Sequence, residues 1–578
     1  MAKAVTWSAR RAQAMHRLHA RATAFARPAR GFTSQPEPKS IGLFARGRQL
    51  ISGNFLFSGE LIEAPGKSIW DITADTSDIA PQIHSCAWLD DLAAVGDAEA
   101  RERAQIWVLE WIDRYGRGRG PGWTPELTGR RLIRWINHGF FLLRGREKVD
   151  SDKLLTSLAR QTLFLSRRWR STPPGLARFE ALAGMIYAGL SLEGMAGRVT
   201  PAINALARDC KTQIDAEGGI PTRNPEELLE VLTLLGWACH AIQESGRTPP
   251  EAITSAIARI APTLRALRHA DGGLARFHGG GRGIDGRLDH ALSDSGIRDL
   301  PATGRHMGFA RLTGGRTTIV VDAAPPPRGM ASRGAHASTC AFELTSGRRA
   351  LIVNCGSGVT FGPEWRRFGR ATASHSTLAI EGYSSSRLGS ASRKTRREEW
   401  LIDTPDRVPV EQTPLRDALR LEVGHDGWLK THGLTHGRTL ELTHDGRGLS
   451  GEDLMTTLSD ADQKRFDAAI ARDSDGVAYS VRFHLHPDVE ASLDMGGTAV
   501  SLTLKSGEIW VFRHDGTVQM RIEPSVYLEN GRLRPRTTQQ VVLSGRAIAY
   551  ATRVRWSLAK AHETPNAVRD YVQDDPAV

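Results

Sequence analysis

The chain has 578 residues, and its 76 Lys and Arg against 64 Asp and Glu give a formal charge of +12. About 40% of the residues are hydrophobic and 24% are charged, an ordinary globular composition that excludes a disordered, collagen-like or coiled-coil chain. No run of about 18 apolar residues occurs, so the sequence predicts no membrane span. The five cysteines are scattered without CxxC spacing, which argues against a disulfide framework or a structural zinc ribbon.

The N-terminal residues 1–45 are predicted to form a basic arm. Residues 1–50 carry ten Lys and Arg against one acid, Glu37, and lack the apolar core of a secretory signal peptide. Three interpretations stay open: a solvated Arg-rich helix or arm, a contact for phosphate-rich or lipid headgroups, and a poorly recognised export segment.

The next segment, residues 46–303, is predicted to be helical. From Trp107 to Gly304 apolar residues recur at helical spacing, with turn signals at 115–116, 145 and 173–174. Successive helical hairpins of about 40 to 50 residues would suit an α/α toroid.

The following segment, residues 304–555, is predicted to be an antiparallel β domain, and residues 556–578 a C-terminal tail. After Arg305 the pattern changes to short β-branched runs with alternation. The predicted strands are 317–321, 340–344, 350–354, 377–381, 498–504, 509–513, 518–522 and 546–552. The fold class is therefore α+β and multidomain, with a cleft expected where the two cores meet.

A helix start is clearly marked at Asn224. Asn224 suits the N-cap, Pro225 the first helical position, and Glu227 lies three residues after the cap. A competing interpretation makes Arg223 and Asn224 substrate contacts, because a helix N-terminus attracts carboxylate or sulfate groups.

A glycine-punctuated basic loop covers residues 268–282. Three adjacent glycines permit close backbone approach to a ligand, and Arg276, His278 and Arg282 could meet an anion. The sequence does not decide between a substrate loop and a flexible inter-domain loop.

The most informative stretches are residues 334–344, 351–356 and 365–378, which contain His336, Asn354 and His375. Their amino-acid sequences and their order along the chain resemble those of the C-terminal β-sandwich of the heparinase II/III family of polysaccharide lyases. The helical half resembles that family's incomplete α/α toroid, so the likeness covers most of residues 46–555. The resemblance implies β-elimination, in which a uronate carboxylate is neutralised, a base removes the C5 proton and an acid protonates the leaving oxygen.

Some members of that family hold zinc in the sandwich with two His and an Asp. Here the resemblance places His336 and His375 at the two His positions and Asn354 at the Asp position. Because an amide is a poorer zinc ligand than a carboxylate, zinc is a conditional expectation.

The catalytic positions depart further from the family pattern. The stretch before Glu180 reads Gly175-Leu176-Ala177 where the family's toroid Asn-His pair is expected, and Glu227 aligns with its catalytic Tyr. The candidate catalytic residues are His336, His375, Glu227 and Tyr187.

The candidate substrate contacts are cationic or aromatic. Arg367 and Arg370 belong to a dense positive cluster before His375, and His84 and Trp88 stand one turn apart on a predicted helix at the toroid mouth. With the two segments above, the full set is Arg223, Asn224, Arg276, His278, Arg282, Arg367, Arg370, His84 and Trp88.

Two functional hypotheses follow from the resemblance: a lyase cleaving a uronic-acid-containing polysaccharide, and a non-catalytic acidic-glycan-binding protein on a lyase scaffold. The expected partner is an acidic polysaccharide. A specific nucleic-acid partner is disfavoured, since no base-reading module is recognisable. Localisation also stays open, because the resemblance implies the periplasm or cell envelope whereas the lack of a recognisable signal peptide favours the cytoplasm.

Overall fold

A computed structural model describes residues 7–24, 28–34, 40–72, 79–300, 304–390, 399–472 and 475–561. Parts of the predicted arm and most of the predicted C-terminal tail lie outside these residues. The N-terminal half is helical and the C-terminal half is built of antiparallel sheets, which confirms the predicted toroid and sandwich.

The helices of the N-terminal half follow one another with short connections. They are α1 (Trp7–Ala22), α2 (Phe44–Ile51), α3 (Ile79–His84), α4 (Trp88–Val95), α5 (Ala98–Tyr115), α6 (Pro125–Asn137), α7 (Gly139–Leu143), α8 (Lys148–Arg168), α9 (Leu176–Ser191), α10 (Thr200–Gln213), α11 (Pro225–Glu244), α12 (Glu251–Ala266) and α13 (Arg287–Asp294). A short hairpin of β1 (Asn54–Phe57) and β2 (Glu60–Glu63) lies between α2 and α3.

The toroid packs around large aromatic side chains. Trp107, Trp111 and Trp135 are fully buried, and the Trp111 and Trp135 rings meet edge to face at 5.3 Å. Such rings bury large apolar areas, so the helices are held by packing more than by their own propensity. Among the described helices, none is both long enough and apolar enough to cross a lipid bilayer.

The C-terminal half contains two large antiparallel sheets. Its strands are β3 (Arg305–His306), β4 (Phe309–Gly314), β5 (Thr317–Asp322), β6 (Phe342–Ser346), β7 (Arg349–Val353), β8 (Leu378–Ile380), β9 (Arg387–Leu388), β10 (Leu401–Ile402), β11 (Val410–Pro414), β12 (Ala418–Trp428), β13 (Leu434–Thr443), β14 (Gly448–Thr456), β15 (Val477–Leu485), β16 (Val489–Asp494), β17 (Ala499–Leu504), β18 (Ile509–His514), β19 (Gln519–Tyr527), β20 (Arg536–Ala547) and β21 (Ala551–Lys560). Three short helices connect them: α14 (Pro363–Phe368), α15 (Leu429–His432) and α16 (Asp460–Ile470).

The two sheets enclose a second core. One sheet has the order β11-β12-β13-β14-β21-β18-β17-β16, and the other β19-β20-β15-β7-β6-β5-β4-β3 with β8 beside β15. Between them Trp556 stacks on Phe342 at 6.0 Å and on Phe512 at 5.9 Å. Alternation along β13, where every second residue is buried, is the expected signature of a sheet with one covered face.

Several sequence expectations need correction. The stretch 546–552 is not one strand: it contains the end of β20, a turn at 548–550 and the start of β21. Strand β21 continues to Lys560, so residues 556–560 belong to the sandwich and not to a tail. His84 and Trp88 are not on one helix, because Cys86 adopts a left-handed φ of 58° and separates α3 from α4.

The described part of the basic arm packs on the toroid. Ala20 and Ala29 are buried, His16 meets Phe164 edge to face at 6.0 Å, and the Arg160 guanidinium donates to the Ala24 carbonyl. A purely solvated arm is therefore the wrong description of these residues.

Candidate functional site

A cleft opens where the toroid meets the sandwich. A cavity of about 290 Å³ inside the toroid is lined by residues of α4, α6, α9, α11 and α13. A second cavity of about 330 Å³ shares Arg46, Asp91 and Arg130 with the first and adds Thr360 and Asn530 of the sandwich. The two cavities are called the cleft below.

The cleft is lined by arginines and acids in nearly matched pairs. Arg134 Nε lies 2.9 Å from Asp90, Arg130 Nε donates to Glu180 at 2.5 Å, and the Arg287 guanidinium donates to Glu230 at 2.7 Å. Asp91 accepts the Leu43 backbone N–H at 2.7 Å, and Arg46 is partly exposed without an ion-pair partner among the described residues. The four arginines are thus balanced by four acids.

Burial divides the cleft acids into two kinds. Burial alone raises the pKa of Asp90, but Arg134 and His138 outweigh that effect and lower this pKa to about 2. Burial raises the pKa of Asp91 to about 6, because the Leu43 N–H and Arg46 offset only part of the desolvation. Burial also raises the pKa of Glu180 to about 7 in spite of Arg130. Asp91 and Glu180 can therefore exchange protons near neutral pH.

His336 and His375 are brought together in the sandwich, away from these acids. His336 Nδ1 lies 3.0 Å from His375 Nε2, and both residues are buried. His375 Nδ1 lies 2.7 Å from the Ala371 carbonyl, so it carries the proton and leaves Nε2 to accept from His336. Burial lowers the pKa of His375 to about 4, so the pair is neutral at physiological pH.

The residues around this pair do not fit a zinc ion of the family type. The Asn354 oxygen accepts the Ser376 N–H at 3.0 Å, and its amide nitrogen faces Glu343 at 3.4 Å. Among the described residues no third His, Cys, Asp or Glu joins the pair closely enough to complete a metal site. Two imidazoles with an engaged neutral amide are a poor donor set for zinc.

Arg223 and His278 converge on a buried aspartate, Asp322. The Arg223 guanidinium donates to Asp322 and to four backbone carbonyls, at distances of 2.5 to 3.2 Å. His278 Nε2 lies 3.3 Å from Asp322, and His278 Nδ1 accepts the His336 backbone N–H at 3.2 Å. This network fastens the toroid to the sandwich, and Arg223 has no donor left for a ligand.

Asn224, Glu227 and Arg276 also face protein groups. The Asn224 oxygen caps α11 by accepting the N–H groups of Glu226 and Glu227 at 3.0 and 3.2 Å. Arg276 lies over the Tyr527 ring at 3.9 Å and donates to the carbonyls of Asn354, Cys355 and Leu528. Glu227 is partly buried, and burial raises the pKa of its carboxyl.

The other arginine candidates lie outside the cleft. Arg370 is buried and donates to the carbonyls of Ser332, Ala335 and Glu399. Arg367 is 61% exposed and pairs with Glu399 at 2.9 Å. Arg282 lines a separate groove of about 710 Å³ and lies 3.6 and 3.4 Å from Asp271 and Asp285.

His84, Trp88 and Tyr187 are buried. His84 Nδ1 accepts the Trp111 indole N–H at 3.0 Å, and the Trp88 indole donates to the Ile83 carbonyl at 3.0 Å. The Tyr187 hydroxyl donates to the Asn137 side chain, and burial raises the pKa of Tyr187 well above its usual range. Trp88 alone of these three lines the cleft.

Sequence reasoning missed the cleft acids and Arg130. The available signal was the spacing: Arg130 and Glu180 are 50 residues apart, and Asp90 and Arg134 are 44 apart. These separations match the helical hairpin length of about 40 to 50 residues that the toroid pattern suggests. Oppositely charged residues separated by one hairpin length were therefore candidates for pairs that face each other inside the toroid.

Comparison with known proteins settles the family. Residues 298–557 match the model of the heparinase II/III-like C-terminal domain. Over 573 residues the chain is 31% identical to FtsZ-localized protein C of Caulobacter vibrioides, a match that covers 96% of each chain. The chain belongs to the heparinase II/III-like family.

Solved structures agree with the fold of this heparinase II/III-like protein. Heparinase III superimposes with a TM-score of 0.63 at 11% identity, covering 97% of this chain and 86% of the other. A mutant heparan sulfate lyase from Pedobacter heparinus gives a TM-score of 0.57 at 14% identity, covering 95% and 88%. At this identity the likeness extends to the polysaccharide lyase fold and no further.

Proposed function

We propose that this heparinase II/III-like protein binds an acidic glycan in the cleft without cleaving it, at cellular sites where FtsZ is present. The observation that carries the proposal is the burial of His336, His375 and Tyr187: both ring nitrogens of His375 and the Tyr187 hydroxyl bond inside the protein, and His336 Nδ1 bonds to His375. A proton-transfer residue must come within hydrogen-bond reach of the substrate. His375 and Tyr187 have no polar atom left for a substrate, and His336 is only 2% exposed.

The cleft offers binding groups in place of catalytic ones. Arg46 supplies a partly exposed guanidinium that makes no ion pair with another described residue, although it offsets part of the desolvation of Asp91. An arginine recognises a carboxylate through paired N–H groups. We therefore expect a carboxylate of the glycan to lie beside Arg46 in the cleft.

Titrating purified protein with fluorescent oligosaccharides from uronic-acid polymers tests the binding. We expect Arg46→Ala to weaken the affinity by about 10-fold, the worth of one charge-assisted hydrogen bond. Arg48→Ala is the matched control, because Arg48 lies on the same helix, is half exposed and pairs with Asp97 at 3.3 Å. Equal effects of the two substitutions would remove Arg46 from the site.

The FtsZ part of the proposal rests on the relative from Caulobacter vibrioides, which is FtsZ-localized by name. The match covers 96% of both chains, so it extends over the helical half as well as the sandwich. A fluorescent fusion should therefore colocalise with FtsZ in the native organism. A fusion spread evenly through cells with normal FtsZ structures would contradict this part alone.

Cleavage by β-elimination is the second candidate function, and the position and raised pKa of Glu180 favour it. Its carboxyl lies in the cleft beside Arg130, and its pKa of about 7 suits a general base. In that case the products carry an unsaturated uronate that absorbs ultraviolet light, and Glu180→Gln removes the absorbance change. Binding that is kept without any absorbance change in the wild type excludes this candidate.

A further inference from the structure

A cluster of metal-binding side chains lies inside the sandwich, apart from the cleft and from the His336 and His375 pair. Cys340, His425 and His436 each offer a ligand atom, and the three atoms lie within 4.8 Å of one another. All three residues are at most 2% exposed. No sequence motif indicates the cluster, since Cys340 is distant in the chain and the two His, 11 residues apart, do not have the spacing of a zinc motif.

The three residues come from both sheets. Cys340 lies just before β6, whereas His425 on β12 and His436 on β13 form a cross-strand pair of the opposite sheet. A single ion held by all three would join the two sheets across the core. A bond of this kind stabilises a folded sandwich directly, because the donors are brought together only by folding.

The geometry of the two histidines suits a tetrahedral ion. His425 Nε2 and His436 Nδ1 are 3.4 Å apart, close to the edge of about 3.3 Å expected for two nitrogens bound at about 2.0 to 2.1 Å. On its far side, His436 Nε2 lies 2.8 Å from an Asp453 carboxylate oxygen. A carboxylate that fixes the outer nitrogen of an imidazole is the usual second-layer partner of a metal-binding histidine.

The cysteine is held in an uncommon backbone conformation. Cys340 has a φ of 68°, and its N–H and carbonyl are fixed by the Asp322 carbonyl and the Arg438 guanidinium, each at 2.9 Å. A left-handed conformation away from glycine costs free energy that the surrounding contacts must supply. Here those contacts hold the cysteine against the histidine pair.

We propose that Cys340, His425 and His436 bind one zinc-like divalent ion that joins the two sheets. Thiolate and imidazole are the preferred donors of zinc, and three protein ligands leave the fourth position to water or a small ligand. The Cys340 thiolate and the Asp453 carboxylate contribute two negative charges, and Arg438, which pairs with Asp453 at 2.8 Å, adds one positive charge to the two of the ion, so the loaded site carries a net charge of +1. This inference does not depend on the proposed function of the cleft.

Metal binding requires two proton changes. The Cys340 thiol releases its proton, and His425 must free Nε2 by carrying its proton on Nδ1 instead. In the structure that Nδ1 accepts the Gly427 N–H at 3.1 Å, so this hydrogen bond breaks. Gly427 lies within the register irregularity between His425 and Trp428, where the ladder has room to adjust.

Cobalt titration of the full chain tests the proposal, because Co²⁺ bound to a thiolate absorbs in the near ultraviolet. We expect one Co²⁺ per chain with this charge-transfer band, displaced by Zn²⁺. His425→Gln should weaken binding by at least about 100-fold, and Cys340→Ser should abolish the band. Cys210→Ser, at a buried toroid cysteine, is the matched control and should leave both unchanged.

X-ray absorption on the zinc-loaded wild type keeps the test independent of variant folding. It should give one sulfur near 2.3 Å and nitrogens near 2.0 to 2.1 Å. A chain that retains no metal after gel filtration, or a metal shell without sulfur, would overturn the proposal. So would a band that survives Cys340→Ser, or a metal that is lost with His375→Gln and not with His425→Gln.

Discussion

Replacing Arg223 by Met separates a structural role from ligand binding at the domain junction. Arg223→Met keeps the aliphatic stem over Phe309, whose ring centre lies 4.6 Å from the guanidinium carbon, but removes all five donated hydrogen bonds. Asp322, fully buried, loses its guanidinium partner. Breaking a buried ion pair by removing one member costs about 3–5 kcal/mol, so we expect a loss of that size in the free energy of unfolding.

Urea unfolding followed by circular dichroism and Trp fluorescence measures this loss. Arg367→Met is the matched control, because Arg367 also pairs with an acid but is 61% exposed, and exposed pairs contribute about 0–1 kcal/mol. An Arg223→Met protein as stable as the wild type that no longer binds glycan would refute the structural role. That outcome would restore Arg223 as a substrate contact.

Three further outcomes are expected. Asp91→Asn should stabilise the protein by about 1–3 kcal/mol at pH 8 and hardly at all at pH 4. Because burial raises the pKa of Asp91 to about 6 in the folded protein, the free energy of unfolding of the wild type falls as the pH rises through that value; equal unfolding curves of the two proteins at pH 8 would contradict this. Affinity for an acidic oligosaccharide should rise about 3- to 10-fold from pH 8 to pH 5.5, because protonation of Asp91 and Glu180 removes the negative charges that compete with the ligand for Arg46 and Arg130. The rise should shrink in high salt, and a flat pH profile would show that other groups hold the ligand. Deleting residues 1–34 should lower the thermal midpoint by about 2 °C or more, since Ala20 and Ala29 are buried against the toroid, whereas an unchanged midpoint would return the arm to a solvated tether.

The architecture was readable from the sequence because it depends on local periodicity. Helical spacing and turn residues mark α5 and α8 closely, and alternation marks β5, β17 and β18. The strands β11 to β14 were not predicted. Residues such as Glu422, Gly424 and Asp426 interrupt the β-branched pattern in β12, while long cross-strand pairing holds the strand.

The candidate site was less readable because its partners are set by tertiary structure. Sequence blocks brought His336 and His375 into view, and the structure places them 3.0 Å apart. No local sequence pattern indicated that Asp322 would pair with Arg223 and His278, which lie 99 and 44 residues from it along the chain. Arginine is equally suited to a ligand carboxylate and to an internal one, so only the fold decides between them.

We propose that the cleft binds an acidic glycan and does not cleave it. Mixing the protein with uronic-acid polymers, while following binding by fluorescence anisotropy and ultraviolet absorbance in the same cuvette, tests both halves at once. The heparan sulfate lyase from Pedobacter heparinus, acting on heparan sulfate, serves as the positive control for elimination. We predict saturable, salt-sensitive binding with no growth of absorbance over hours; a steady rise in absorbance that Glu180→Gln abolishes would contradict the proposal of binding without cleavage.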